Sequence, residues 1–137
     1  MNKLNRRVEY SLMALKFLNS KPFDKVTAKE VAEQLHTSFE VVARVLQVLA
    51  QKGILISEQG ASGGYRLVQN LDQLSLHQLV EHIEGPSSVV KCISEVGVCE
   101  IQDSCNIVPP MKALNEKVNN FYKTISVLDL IQETHHV

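Results

Sequence analysis

No apolar run in the 137-residue chain approaches the ~18 residues of a membrane span, which excludes a helical membrane protein. The N-terminus turns amphipathic at once and carries no apolar leader or cleavage site, so a cytoplasmic location is expected. Cysteine is scarce and odd in number: Cys92, Cys99 and Cys105 are the three. An odd count argues against a closed set of intrachain disulfides and for thiolate chemistry in a reducing compartment. Internal repeats, low-complexity segments, Gly-rich phosphate loops and nucleophile–base pairs are absent, so an enzyme is not expected.

The low net charge of −1 conceals an asymmetry. Residues 1–70 hold ten Lys/Arg against six Asp/Glu, net +4, whereas residues 71–137 hold four against nine, net −5. A basic front half suits a polyanionic partner.

Residues 6–20 lack Pro and Gly and read as a helix that is apolar on more than one face, through Val8, Leu12, Leu15, Met13 and Phe17. Thr27-Ala-Lys-Glu30 is a capping box opening a helix to about Leu35. A second box, Thr37-Ser-Phe-Glu40, opens another to about Lys52, stopped by Gly53. Two short helices across a tight turn form a helix-turn-helix pattern. Strand-like Ile54–Glu58, a glycine-rich tip and returning Tyr65–Val68 then make a hairpin placed as a wing. Ser75-Leu-His-Gln78 starts a further helix through Ile83.

The cysteine stretch follows with the spacing Cys-x6-Cys-x5-Cys over 14 residues. Thiolates are soft ligands for iron–sulfur clusters or zinc, but structural zinc favours tight Cys pairs, which this spacing lacks. Buried, unligated cysteines are the bland alternative. Beyond Pro109-Pro110, a single helix of about 24 residues and about 36 Å is expected to run to about Thr134. Its apolar residues Met111, Leu114, Val118, Phe121, Ile125, Leu128 and Ile131 recur at near-heptad steps, and a second copy of the chain is the expected cover. The domain division is therefore 1–84 winged helix-turn-helix, 85–109 cysteine loop, and 110–137 dimerisation helix and tail. The fold class is mainly α with a small β wing.

These residues resemble the Rrf-two (Rrf2) family, winged-helix iron–sulfur regulators of the IscR/NsrR/RirA type. The likeness rests on Val8-Glu-Tyr-Ser-Leu, Lys52-Gly-Ile-Leu, the wing Gly60-Ala-Ser-Gly-Gly-Tyr-Arg-Leu67, Ile83-Glu-Gly-Pro86, the cysteine trio and the long last helix. It covers essentially the whole chain. It implies a homodimeric, DNA-binding transcription regulator, such as a repressor, crossed through the long helices and binding a roughly palindromic double-stranded operator. It also implies an iron–sulfur cluster, of two or four irons, held by Cys92, Cys99 and Cys105. Val108 stands where some relatives carry a histidine ligand, which closes that route. Glu9 occupies the place of a fourth ligand supplied by the partner subunit, with His77, His82 and Asp103 as weaker candidates.

For DNA, the exposed candidates on the second helix of the pair are Ser38, Phe39, Glu40, Ala43 and Arg44, with Arg44 the best base reader because its guanidinium pairs bidentately with guanine. Glu40 is expected to be engaged as a cap. Ser38, Ser62, the amides of Gly63 and Gly64, and Tyr65 suit phosphate contacts. Gln59 stands where several relatives place a wing arginine, and Arg66 has acidic neighbours to pair with. Leu114, Val118, Phe121, Ile125 and Leu128 are the expected dimerisation residues. The competing function is a cluster-free winged-helix regulator controlled by thiol oxidation, a metabolite or a partner protein.

Overall fold

A computed structural model describes residues 4–60, 63–85 and 107–132. Among these residues, six α-helices and a two-stranded antiparallel sheet follow one another as α1 (Arg6–Asn19), α2 (Ala28–Leu35), α3 (Phe39–Gln51), β1 (Leu55–Glu58), β2 (Gly64–Leu67), α4 (Leu76–Glu84), α5 (Val108–Lys123) and α6 (Val127–Gln132), with one 3₁₀ turn at Leu71–Gln73 before α4. This is the mainly helical, winged arrangement expected from the sequence.

Local capping places most helix starts. Asn5 caps α1, its Oδ1 accepting the Val8 amide at 3.1 Å. The Thr27 box is formed in full: Thr27 Oγ1 accepts the Glu30 amide at 3.1 Å, and the Glu30 carboxylate accepts the Thr27 amide at 3.3 Å. Ser75 and Gln78 do the same for α4 at 3.1 and 2.9 Å. The second expected box does not form. His36 adopts a left-handed φ of 52° and closes α2, and the Thr37 amide turns back to the Ala32 carbonyl at 3.1 Å. That closure absorbs Thr37, so Ser38 becomes the N-cap of α3 and makes no side-chain cap bond. Glu40 is consequently free of the capping role expected for it.

The core lies where α1, α2, α3, the sheet and the turn before α4 converge. Val42, Val45, Leu46 and Leu49 form one buried stripe on α3, packed with Leu15, Leu18, Val31 and Ile54. Each such side chain contributes about 1.5–3 kcal/mol by leaving water. The wing pairs Leu55 with Leu67 and Glu58 with Gly64, and Val26 adds a bridge to Tyr65 through bonds of 2.9 and 2.8 Å. Gly64 is required there: at φ 155° a side chain would come within 3.0 Å of the Val26 carbonyl.

The single long C-terminal helix expected from the sequence is not what forms. The chain breaks at Thr124–Ser126, where Thr124 Oγ1 donates back to the Phe121 carbonyl at 2.6 Å and Ser126 Oγ accepts the Asp129 amide at 3.0 Å as the start of α6. A bridge between Ser75 and Ser126, with the Leu76 amide on the Ile125 carbonyl and the Val127 amide on the Leu74 carbonyl, both at 2.8 Å, fixes the break against the start of α4. α6 then turns into the core through Val127 and Ile131. Ile125 packs around Val8, Leu76 and Val80, and Leu128 packs on the main core. Both therefore pack within the monomer, and the exposed residues of this apolar repeat, Leu114 and Phe121, lie on α5. That helix also begins two residues earlier than expected, with Pro109 and Pro110 inside its first turn. No helix among the described residues is long and apolar enough to cross a membrane.

Candidate nucleic-acid interface

At about 100° per residue, the buried stripe of α3 has an opposite face made of Glu40, Arg44, Gln47 and Gln51, within an arc of about 60°. All four are exposed, and none of their side chains makes a hydrogen bond or ion pair among the described residues. Glu40 and Arg44 have the i,i+4 spacing of an ion pair yet do not form one. Phe39, 55% exposed, and half-buried Ala43 flank the stripe near the helix start. A polar ridge without partners, on a helix held rigidly by four core residues, can present donors and acceptors to another molecule. Gln47 and Gln51 were not picked out from the sequence, although each lies three or four residues beyond its neighbour in the stripe.

The wing stands immediately after this helix. Gln59 is exposed at the end of β1. The Gly63 amide donates to the Gly60 carbonyl at 3.0 Å, and the Tyr65 amide donates to Val26, so neither is open to a phosphate. A side chain at Gly63 would collide with the Glu58 carbonyl, which makes that glycine a requirement of the tip's fold. Tyr65 retains its hydroxyl. Ser62 lies outside the described residues. Arg66 pairs with Glu58 at 3.3 Å, and Lys25 pairs with the same carboxylate at 3.0 Å. The hydrogen bond from Lys25 holds the Glu58 carboxyl below its ordinary value; desolvation opposes it, and the charges of Lys25 and Arg66 add to the lowering. Arg66 is thus a fastening of the wing root.

Cys92, Cys99, Cys105 and Asp103 lie outside the described residues. Glu9 sits exposed on α1, with its carboxylate 3.3 Å from Arg6. An exposed pair of this kind contributes at most about 1 kcal/mol, so the carboxylate is readily released to another partner. His77 lies 3.5 Å from Glu81. His82 is about 140° around α4 from His77, so the two do not share a face. Burial, then the charge of Lys52, lowers the His82 pKa, with Glu81 opposing. Among the described residues, no three His, Cys, Asp or Glu side chains gather as a metal site. On α5, Leu114 is 42% and Phe121 61% exposed, Val118 is half-buried, and no residue of that helix is fully buried.

A helix-turn-helix followed by a two-stranded wing defines a winged-helix protein. Residues 4–133 match the Rrf2 family, described as iron-dependent transcriptional regulators, and the chain belongs to that family. Among solved structures, CymR, the global cysteine regulator of B. subtilis, is 21% identical with a TM-score of 0.74, over 98% of this chain and 100% of that one. The oxidized form of Staphylococcus aureus CymR is 18% identical at 0.69, over 98% and 100%. T. potens IscR is 18% identical at 0.64, over 98% and 94%. These likenesses establish the shared fold.

Proposed function

We propose that the protein is a homodimeric, DNA-binding transcription regulator whose operator affinity is set by an iron–sulfur cluster. The observation that carries the DNA reading is the unpartnered polar stripe of α3, followed directly by the wing. Two such helices in a two-fold dimer present themselves to successive major grooves of a roughly palindromic duplex. Glu40 and Arg44 face base edges, Phe39 and Ala43 offer apolar contact, and Ser38, Ser62 and the Tyr65 hydroxyl meet the backbone. Gln59 hydrogen-bonds at the minor groove. Residues 1–84 then form the DNA-binding unit and 85–109 the cluster loop. The dimerising role assigned to 110–137 falls to α5, through Leu114, Val118 and Phe121.

The donor chemistry fits a cluster. Cys92, Cys99 and Cys105 supply three soft thiolates with gaps wide enough to wrap a polynuclear core, and the weakly held carboxylate of Glu9 is available to the partner subunit. When bound, the cluster supplies a centre that responds to iron supply, redox state or nitric oxide. The cysteines hold it; Glu9 ties their loop to α1 of the other subunit, and α1 packs against both the reading module and α4.

Anaerobic purification tests this reading. Iron and sulfide should co-purify with the dimer, and Cys99→Ala should reduce both to background without changing dimer mass or melting temperature. Equal operator affinity of loaded and apo protein at one salt concentration would defeat cluster control. Likeness to a cysteine regulator, and to a form of it crystallised oxidized, favours a second reading in which the thiols act without a cluster. Protein that lacks iron and sulfide, yet changes operator affinity on thiol oxidation, would select it.

A further inference from the structure

We propose that Gln47 is a specificity-determining residue that reads adenine at the base pair beside the one read by Arg44. The inference rests on the DNA-binding reading above and adds to it a second base-reading position with its own chemistry.

Gln47 lies midway along the polar stripe and at one edge of its arc, about 20° around the helix from Glu40 and about 60° from Arg44. It is exposed, its side chain makes no hydrogen bond or ion pair among the described residues, and it stands opposite the face that Val42, Val45, Leu46 and Leu49 bury. Along the axis it is about 4.5 Å beyond Arg44 and about 10.5 Å beyond Glu40, at ~1.5 Å per residue. The major groove is about 12 Å wide. Glu40, Arg44 and Gln47 therefore fit within one crossing of it, whereas Gln51, about 16.5 Å from Glu40, falls at the phosphate edge. A 4.5 Å advance compares with a rise of about 3.4 Å per base pair, which places Gln47 one step from the pair facing Arg44.

The side-chain chemistry specifies the base. A carboxamide is donor and acceptor at once: Oε1 accepts from adenine N6, and Nε2 donates to adenine N7. Arginine has donors only and selects guanine. Half-buried Ala43, one turn before Gln47 and offset by about 40°, is small enough to leave the amide unobstructed. An exposed glutamine elsewhere on a helix is ordinary solvation; here the position within the stripe and the reach along it distinguish the residue.

The test begins by selecting duplexes from a random pool with the wild-type dimer. Each base pair of the selected half-site is then varied in binding to wild type, Arg44→Ala, Gln47→Ala and Gln47→Glu at fixed salt. Gln47→Ala should weaken operator binding by about 5- to 150-fold, leave binding to random DNA unchanged, and lose discrimination at a single A·T pair adjacent to the pair relaxed by Arg44→Ala. Gln47→Glu, which removes the donor, should lose the same preference. An equal loss on operator and random DNA would make Gln47 a phosphate contact and overturn the proposal. Unchanged discrimination at every pair would overturn it too. Failure of wild type to enrich any sequence would overturn the DNA-binding reading itself, and this inference with it.

Discussion

The two C-terminal helices share one apolar repeat and use it in opposite ways. α5 has sixteen residues and buries none of them, while α6 has six and places Val127 and Ile131 in the core. Length and burial are inverted because the chain bends at Thr124–Ser126 and returns α6 to the domain it came from. A repeat of threes and fours shows that a helix has an apolar face. Whether that face meets the same chain or another depends on where the backbone turns, and here the turn is made by pairing with residues 74–76.

Substituting the covered face should have the largest consequence. Val127→Asp places an unpaired carboxylate in the core and should destabilise the whole winged module by about 3–5 kcal/mol, which is most of the margin of a small domain. Loss of helical circular dichroism at moderate temperature would report it. If Val127→Asp melted like wild type, the division into covered and uncovered helices would be wrong. The uncovered face should answer differently. Changing Leu114, Val118 and Phe121 together to Asp should leave the melting temperature of the monomer nearly intact, yet yield monomers in sedimentation and lower operator affinity by about 10²–10⁴-fold through lost bivalency. Persistence of the dimer would move its interface elsewhere. Ser126→Ala should have the smallest effect, about 1 kcal/mol from the missing cap of α6. A destabilisation beyond about 2 kcal/mol would mean that the break depends on this serine more than on its backbone pairing.

What was legible in the sequence was what is decided locally. Thr27 with Glu30 and Ser75 with Gln78 announce their helices because a side chain and a backbone amide three residues apart suffice. Thr37 misled because the same letters served the end of α2: the left-handed His36 drew the Thr37 amide backward. Ser126-Val-Leu-Asp129 carried a start signal for α6, hidden beneath an apolar repeat that ran straight through it. The pairing of residues 74–76 with 125–127 has no local signature, since it joins segments about fifty residues apart. At the candidate site, Arg44 stood out by its charge. Gln47 became visible only when burial defined which side of α3 faces outward. The ligand role proposed for the cysteines rests on their spacing and on the family resemblance, as they lie outside the described residues.

The main-chain bonds at residues 74–76 and 125–127 also give α5 a fulcrum. The helix is about 24 Å long and is gripped at its C-terminal end, by the same short segment that begins α4. A rotation of about 10° about that grip would carry the far end of α5, where the cysteine-bearing segment joins it, through about 4 Å. The same geometry run in reverse makes a small displacement at Val108 a tilt of the whole rod. In the proposed dimer, with two such rods pressed together, the distance between the two α3 helices would become an angular quantity, set at one end and read at the other.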